Sequence, residues 1–326
     1  MNNNYKATAI TITYLTNISY ASLNGGDSDT DNINVIKKIT SYDRKEYPYV
    51  SSQALRRALR DQLQTLGFTL SPISVSEEAN EDKESKSDEE DSSDSKTKHP
   101  PITSCNPVEY IDDDLFGYMN AQADTIKRTS AVRVSPLVAL HEYMADMDFG
   151  TNYMGKDVGM DPNIFETEIH RGLYRGTILI EIDRIGTGDG FVTQPKKKSK
   201  KDNDNANNQV VDKSLSQQEK YKRCIAFLDA SQNLSSTGRQ SRFLADISPK
   251  FIAAALLKSK NPIFLETMSE GVDVSKLEQV VEDYSRFIDQ SVFASQSSFF
   301  PTGDKVVSLK EGFETIRAWL KSYYQV

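Results

Sequence analysis

The sequence predicts a mixed α+β domain interrupted by polar insertions. Three observations lead there. Apolar residues alternate with period 2 at several separated places, they repeat every 3.6 residues at others, and no regular strand–helix–strand unit links the two patterns. The chain has 326 residues, 37% hydrophobic and 26% charged, enough for one elaborated domain or two.

In chain order, Ile10, Ile12 and Tyr14 alternate with Thr11 and Thr13, which predicts a half-buried strand. A Gly-rich polar loop, LNGGDSDTDN, follows. Ser51 or Ser52 is a cap for a helix running to about Leu66, with Gly67 as its stop. On that helix Leu55, Ala58, Leu59 and Leu66 share one face, and Arg56, Arg57 and Arg60 lie on another. Ala131–Ser135 is a short strand ended by Pro136, and Ile178, Ile180 and Ile182 mark a longer one. Ser214–Leu228 is a weaker helix. Leu277, Val280, Val281, Tyr284, Phe287 and Ile288 repeat with helical spacing, as do Leu309, Phe313, Ile316 and Leu320 behind a capping box of Ser308 and Glu311.

The formal net charge of −8 is unevenly placed. Residues 77–98 hold ten acidic residues against four lysines, a balance of −6, which leaves −2 for the other 304. Residues 74–98 have too little apolar surface to offset ordering entropy and read as a disordered insertion. A second polar stretch begins at Gln194 and is expected to be a disordered loop over 194–212. Its Lys196, Lys197, Lys198, Lys200 and Lys201 fit phosphate contacts and a solvated loop equally. No apolar run approaches the roughly 20 residues of a membrane-spanning helix, and the N-terminus lacks a signal peptide's pattern, so a cytoplasmic protein without membrane contact is expected. Two lone thiols, Cys105 and Cys224, have no zinc-site spacing.

The sequence has no nucleophile elbow, phosphate-binding Walker loop or HExxH motif. His99, His141 and His170 are scattered, and neither a metal nor a cofactor is expected. Asp27, Asp29 and Asp31 could bind a divalent cation or simply belong to a polar connection. The start of the helix after Tyr49 combines unpaired amides, Ser51, Ser52, Gln53 and nearby arginines, which suits phosphate oxygens.

Four segments keep an order that resembles the crRNA-binding backbone subunit of type I CRISPR interference complexes, in its DevR branch and pointing to type I-B. They are SLNGG followed by YVSSQALRRALR, then SAVRVSPLVAL (130–140), ETEIHRGLYRGTILIEIDRIG (166–186) and NLSSTGRQSRFLADISPKFIAAALL (233–257). The resemblance implies an antiparallel palm like the RNA-recognition motif (RRM-like, ferredoxin-like), with a helical fingers insertion and a β-hairpin thumb. The palm would comprise residues 1–66, 131–138 and 173–270, including a thumb at 231–250. The fingers would comprise 67–130 and 139–172, and a helical segment would follow at 271–326. For Phe251–Leu257, Ser248 and Pro249 favour a helix start, whereas the family pattern implies a strand, which is the expectation adopted.

The resemblance further implies a non-catalytic subunit that polymerises along a crRNA guide and presents it to a target DNA strand. It would act beside further copies of itself and large, small and guide-end-capping subunits. Ser51, Ser52, Gln53, Arg56 and Arg57 match the guide-phosphate motif, with Arg60 facing phosphate or a neighbouring subunit. Asn24, Gly25 and Gly26 match a loop approached by RNA. Arg133 and Arg175 either reach RNA or pair with Glu166, Glu168 or Asp183. In the thumb, Gly238 would permit a tight turn, Arg239, Gln240 and Arg242 would donate to RNA, and Phe243 would either wedge between bases or pack in the core. Two other readings stay open. One is a metal-dependent RNA endonuclease, as in type III relatives, using an Asp of loop 24–32; the other is a scaffold without RNA binding.

Overall fold

The computed structural model describes residues 6–27, 32–74, 101–120, 125–153, 159, 163–193, 211–236, 238–296, 298–300 and 303–326. The acidic run 77–98, most of the polar stretch 194–212, Asp29, Asp31 and His99 lie outside the described residues. The principal elements are β1 (Ala9–Ala21), β2 (Lys38–Thr40), β3 (Glu46–Val50), α1 (Ser52–Thr65), α2 (Ile111–Phe116), β4 (Val132–Val134), β5 (Leu137–Ala139), β6 (Met147–Asn152), β7 (Asn163–Glu168) and β8 (His170–Ile180). They continue with α3 (Gln217–Gln232), α4 (Gln240–Phe243), β9 (Phe251–Leu257), α5 (Val274–Asp283), β10 (Ile288–Ser295), β11 (Val307–Ser308) and α6 (Leu309–Tyr324).

One sheet organises these elements in the order β11-β10-β9-β1-β8-β5-β3-β2, with β4 also beside β8. Every pairing in it is antiparallel except β10 with β11. The sheet and its helices make an α+β fold, as the alternating periodicities predict.

β1 is covered on both faces rather than one. Ile10, Ile12, Tyr14 and Ile18 pack toward a core shared with α1, α3 and α6. Leu15 faces a second core with Phe251, Ala253, Ala255, Leu257, Phe264, Met268, Leu277 and Phe293. Thr11 and Thr13 are therefore buried too, and Thr13 Oγ1 lies 2.9 Å from Thr177 Oγ1 across the β1–β8 pair. The expected half-buried strand is thus corrected, because residues 263–281 supply a second apolar layer. Register also explains Gly176, which stands opposite Tyr14; a Cβ there would lie 2.7 Å from the tyrosine ring.

β9 is a strand whose seven residues are all buried, between β1 and β10. The Ser248–Pro249 cap signal loses because a uniformly apolar segment gains more as a central strand covered on both faces than as a one-turn helix start. The helix expected to reach Ile288 stops at Asp283, and Ile288 opens β10 instead. Residues 271–326 are consequently not wholly helical. Leu63, not Leu66, completes the buried face of α1; Leu66 caps it and is exposed. The capping box at α6 forms as predicted, and Phe313, Ile316, Trp319 and Leu320 are buried behind it.

Two further expectations change. Among the described residues, 67–130 and 139–172 contain one six-residue helix, α2, and otherwise short strand pairs, so the insertion is not helical there. Among the described residues, 231–250 hold no pair of strands: they contain the end of α3, the one-turn α4 and an isolated antiparallel bridge between Ser235 and Asp246. The longest strand pair outside the main sheet among the described residues is β6–β7, paired from Met147↔Glu168 to Asn152↔Asn163 and joined by Ile33–Asn34 along β7. Among the described residues no helix is long and apolar enough to cross a membrane.

Candidate nucleic-acid interface

The start of α1 is braced from behind by the Gly-rich loop. Asn24 Oδ1 accepts from the Ser51 N–H at 2.9 Å, and the Asn24 carbonyl accepts from the Lys37 N–H at 2.9 Å. Ser51 is the N-cap, its hydroxyl accepting from the Ala54 N–H at 3.3 Å. The Ser52 and Gln53 N–H groups have no partner among the described residues, and Gln53 is exposed. Gly25 and Gly26 are exposed beside them. Gly26 and exposed Asp27 line an open groove of about 380 Å3 with Lys37, Lys38, Glu46 and Tyr49. The groove thus holds two lysines and two carboxylates: Lys38 pairs with Glu168 and Glu46, and Lys37 has no carboxylate partner among the described residues.

The three arginines of α1 do not act as one cationic face. Arg56 donates to the Phe116 carbonyl and lies 5.4 Å from the Phe116 ring centroid. Arg60 sits 4.4 Å from the same ring and pairs with Asp112 at 3.5 Å. Both fasten α1 to α2, and burial lowers the pKa of each. Arg57 is the outward one, its side chain 64% exposed and, among the described residues, paired with Asp61 alone, at 2.9 Å.

On the sheet, Arg133 pairs with Glu181, a different carboxylate from the three expected. Glu181 is 1% exposed and also meets Lys260 at 2.8 Å and Arg184 at 3.3 Å. Arg175 donates to the Leu265 carbonyl at 2.7 Å and approaches Glu266 at 3.7 Å, holding the second apolar layer onto β8.

Within 235–246, Gly238, Arg239, Arg242 and Phe243 contact neighbouring elements, while Leu244 is exposed. Gly238 is not in a left-handed conformation; its lack of a side chain serves close approach, since a Cβ would lie 2.3 Å from the Leu23 carbonyl oxygen. Arg239 donates to Ser22 Oγ at 2.8 Å and Asn34 Oδ1 at 2.9 Å. Gln240 opens α4. Arg242 reaches Asp148 at 2.5 Å and Thr167 Oγ1 at 3.3 Å. Phe243 is half-buried, 5.3 Å from the Tyr20 ring, which is the packing role rather than the wedge. Sequence reasoning missed Ser22, Asn34, Asp148 and Thr167, since nothing local marks partners that lie 75 to 217 positions away.

It also missed a buried ionic hub. Asp114 is fully buried and binds Arg128 at 2.5 Å and Arg223 at 2.8 Å, and it accepts from the Gly186 N–H at 3.0 Å. The hub ties α2 to α3 and to the turn after β8.

At the root of the β6–β7 hairpin, Glu168 accepts from the Ile36 N–H at 2.8 Å and from Lys38 Nζ at 2.7 Å. His170 Nδ1 lies 2.8 Å from the Tyr174 hydroxyl. Burial, with His141 adding to it and Asp146 opposing, depresses the His170 pKa to about 4. The folded state therefore disfavours the proton that the unfolded chain accepts near pH 6.5. Stability from the neutral ring is present above about pH 6.5 and lost as pH falls toward 4. The denaturation midpoint of the native chain should accordingly drop more steeply between pH 7 and 5 than that of His170→Gln; equal slopes would show that His170 does not drive the acid loss.

The fold defines a class in which a largely antiparallel sheet is covered on one face by the long helices α1, α3 and α6. Two solved structures share it: a chain of "CRISPR RNA-guided surveillance complex, pre-nicking" (TM-score 0.64, 15% identity, covering 97% of this chain and all of that one) and a chain of "CRISPR RNA-guided surveillance complex" (TM-score 0.57, 17% identity, 96% and 99%). No curated protein matches the sequence. Residues 10–278 match the family "CRISPR-associated negative auto-regulator DevR/Csa2", and the chain belongs to it.

Proposed function

We propose that this chain is a non-catalytic backbone subunit of a cytoplasmic CRISPR surveillance complex. In this reading it polymerises along a crRNA guide, holds it by its phosphates and leaves bases free to pair with a target DNA strand, beside large, small and guide-end-capping subunits. The observation that carries the reading is the α1 start. The Ser52 and Gln53 N–H groups have no partner among the described residues, Arg57 is exposed, and Asn24 of the glycine loop joins the Ser51 and Lys37 backbones, in a chain of a family described as CRISPR-associated.

The order of β1, α1, β4–β5, β8, α3 and β9, with strands arranged β9-β1-β8-β5, supports an RRM-like palm. The β6–β7 hairpin, with Met147, Phe149 and Ile164 exposed, is a better thumb than 231–250.

The test is to purify the tagged chain with its complex, sequence the small RNA that accompanies it and titrate that RNA. Lys37→Ala with Arg57→Ala should weaken binding to every guide sequence and lower the slope of log affinity against log salt by about 0.7 per lost phosphate contact. Unchanged affinity with the fold intact would remove the assignment. Regular cuts in complementary RNA with magnesium, abolished by Asp27→Ala, would overturn the non-catalytic reading.

A further inference from the structure

We propose that Asp148 is a carboxylate placeholder at a built phosphodiester site, holding Arg242 until RNA backbone takes its place. The inference rests on the RNA-binding reading above and adds a site between α4 and the β6–β7 hairpin.

The guanidinium of Arg242 is positioned by groups other than the carboxylate. Its centre lies 5.0 Å from the Phe165 ring and 5.1 Å from the Phe243 ring, and Nη1 donates to Thr167 Oγ1 at 3.3 Å. Each of those is fixed in turn. Phe243 rests on Tyr20 at 5.3 Å, and Thr167 is buried and within 3.4 Å of Asn34 Nδ2. Asn34 is held by Arg239 at 2.9 Å, and Arg239 also bonds Ser22. The result is an arginine fork flanked by aromatic faces and a hydroxyl, with a second arginine close by. That geometry matches a phosphate as well as it matches a carboxylate.

Asp148 supplies the one anion in this set, its Oδ2 2.5 Å from Arg242 Nη2. The pair is open to solvent, with side chains 35% and 29% exposed, so a diester can reach it. An ion pair of that exposure contributes little, so exchange for a phosphate costs the fold little. Asp148 stands on β6 directly across from Thr167, so its displacement would leave the hairpin ladder intact. Tyr20 also feels the carboxylate: burial and then the Asp148 charge raise its pKa. The exchange makes and breaks no covalent bond.

The experiment uses the full chain and fluorescein-labelled polyuridine RNA, titrated at fixed low salt. Asp148→Asn should tighten binding about fivefold, the equivalent of the ion pair it removes. Asp148→Glu should keep the wild-type affinity. The gain should vanish when Arg242→Ala is added to Asp148→Asn, which a general change in net charge would not produce. Asp148→Ser is the second neutral variant and should show the same gain if Asp148→Asn alters the melting temperature. Wild-type binding with no gain in either neutral variant overturns the placeholder alone. Failure of the wild type to bind the RNA overturns the RNA-backbone reading, and this one with it.

Discussion

Asp114→Ala is expected to destabilise the chain by about 3–5 kcal/mol, measured by urea unfolding at neutral pH. Arg128 and Arg223 are 1% and 4% exposed, and Asp114 is the carboxylate bonded to both. Removing it leaves two guanidinium charges far from water. Backbone carbonyls remain: Arg128 keeps bonds to Thr187, Asp189 and Arg184, and Arg223 keeps Pro107 and Val108 together with the more distant, part-exposed Glu219 carboxylate at 3.5 Å. Carbonyl dipoles offset part of a charge but do not neutralise it. The Gly186 N–H also loses its acceptor, leaving a buried donor unpaired. A loss below about 1 kcal/mol would mean that the carbonyl shells, with Glu219 beside Arg223, hold both arginines, and the hub would then be a consequence of packing rather than its fastener.

Gly238→Val should cost about 1–3 kcal/mol, the usual range for forcing bulk into a packed position. The nearest atom to a Cβ there is a backbone carbonyl oxygen at 2.3 Å, and backbone cannot rotate away as a side-chain tip can. The segment must therefore lift from the end of β1. Arg239 would then lose Ser22 and Asn34, because those bonds require residues 238 and 239 to lie against Leu23. Under the RNA-binding reading the same substitution should weaken guide affinity more than Phe243→Leu, which trims packing but leaves the backbone in place. Thermal melting and RNA titration of both variants check the order; equal effects would show that the close approach at Gly238 is not what positions the arginines.

Much of the frame was legible locally. Ser51 caps α1 and Ser308 with Glu311 forms the capping box of α6, since a cap is a contact between residues three apart. The alternation in β1 and β8 placed two central strands. The order of four motifs pointed to the family that residues 10–278 match. Where periodicity failed, a distant partner had decided the matter. Phe287 and Ile288 continue a helical spacing, yet Ile288 pairs with Leu257 of β9.

The interface shows the same division. A helical wheel puts Arg56, Arg57 and Arg60 on the polar side of α1, and that much is correct. It cannot show that Phe116 and Asp112, more than fifty positions later, occupy two of the three and leave Arg57 outward. Likewise SSTGRQSRF reads as a donor-rich hairpin because its charges are visible and their partners are not. By itself the sequence determined the α+β class and the helix start beside a glycine loop, consequences of neighbours within one or two turns of chain, and the family, through the order of four motifs along it. Only the tertiary structure decided which cations face outward, which are held by Asp114, Asp112 or Asp148, and that β1 is covered on both faces. Those outcomes depend on long-range contacts, where burial makes an ion pair or an apolar layer worth more than any local preference.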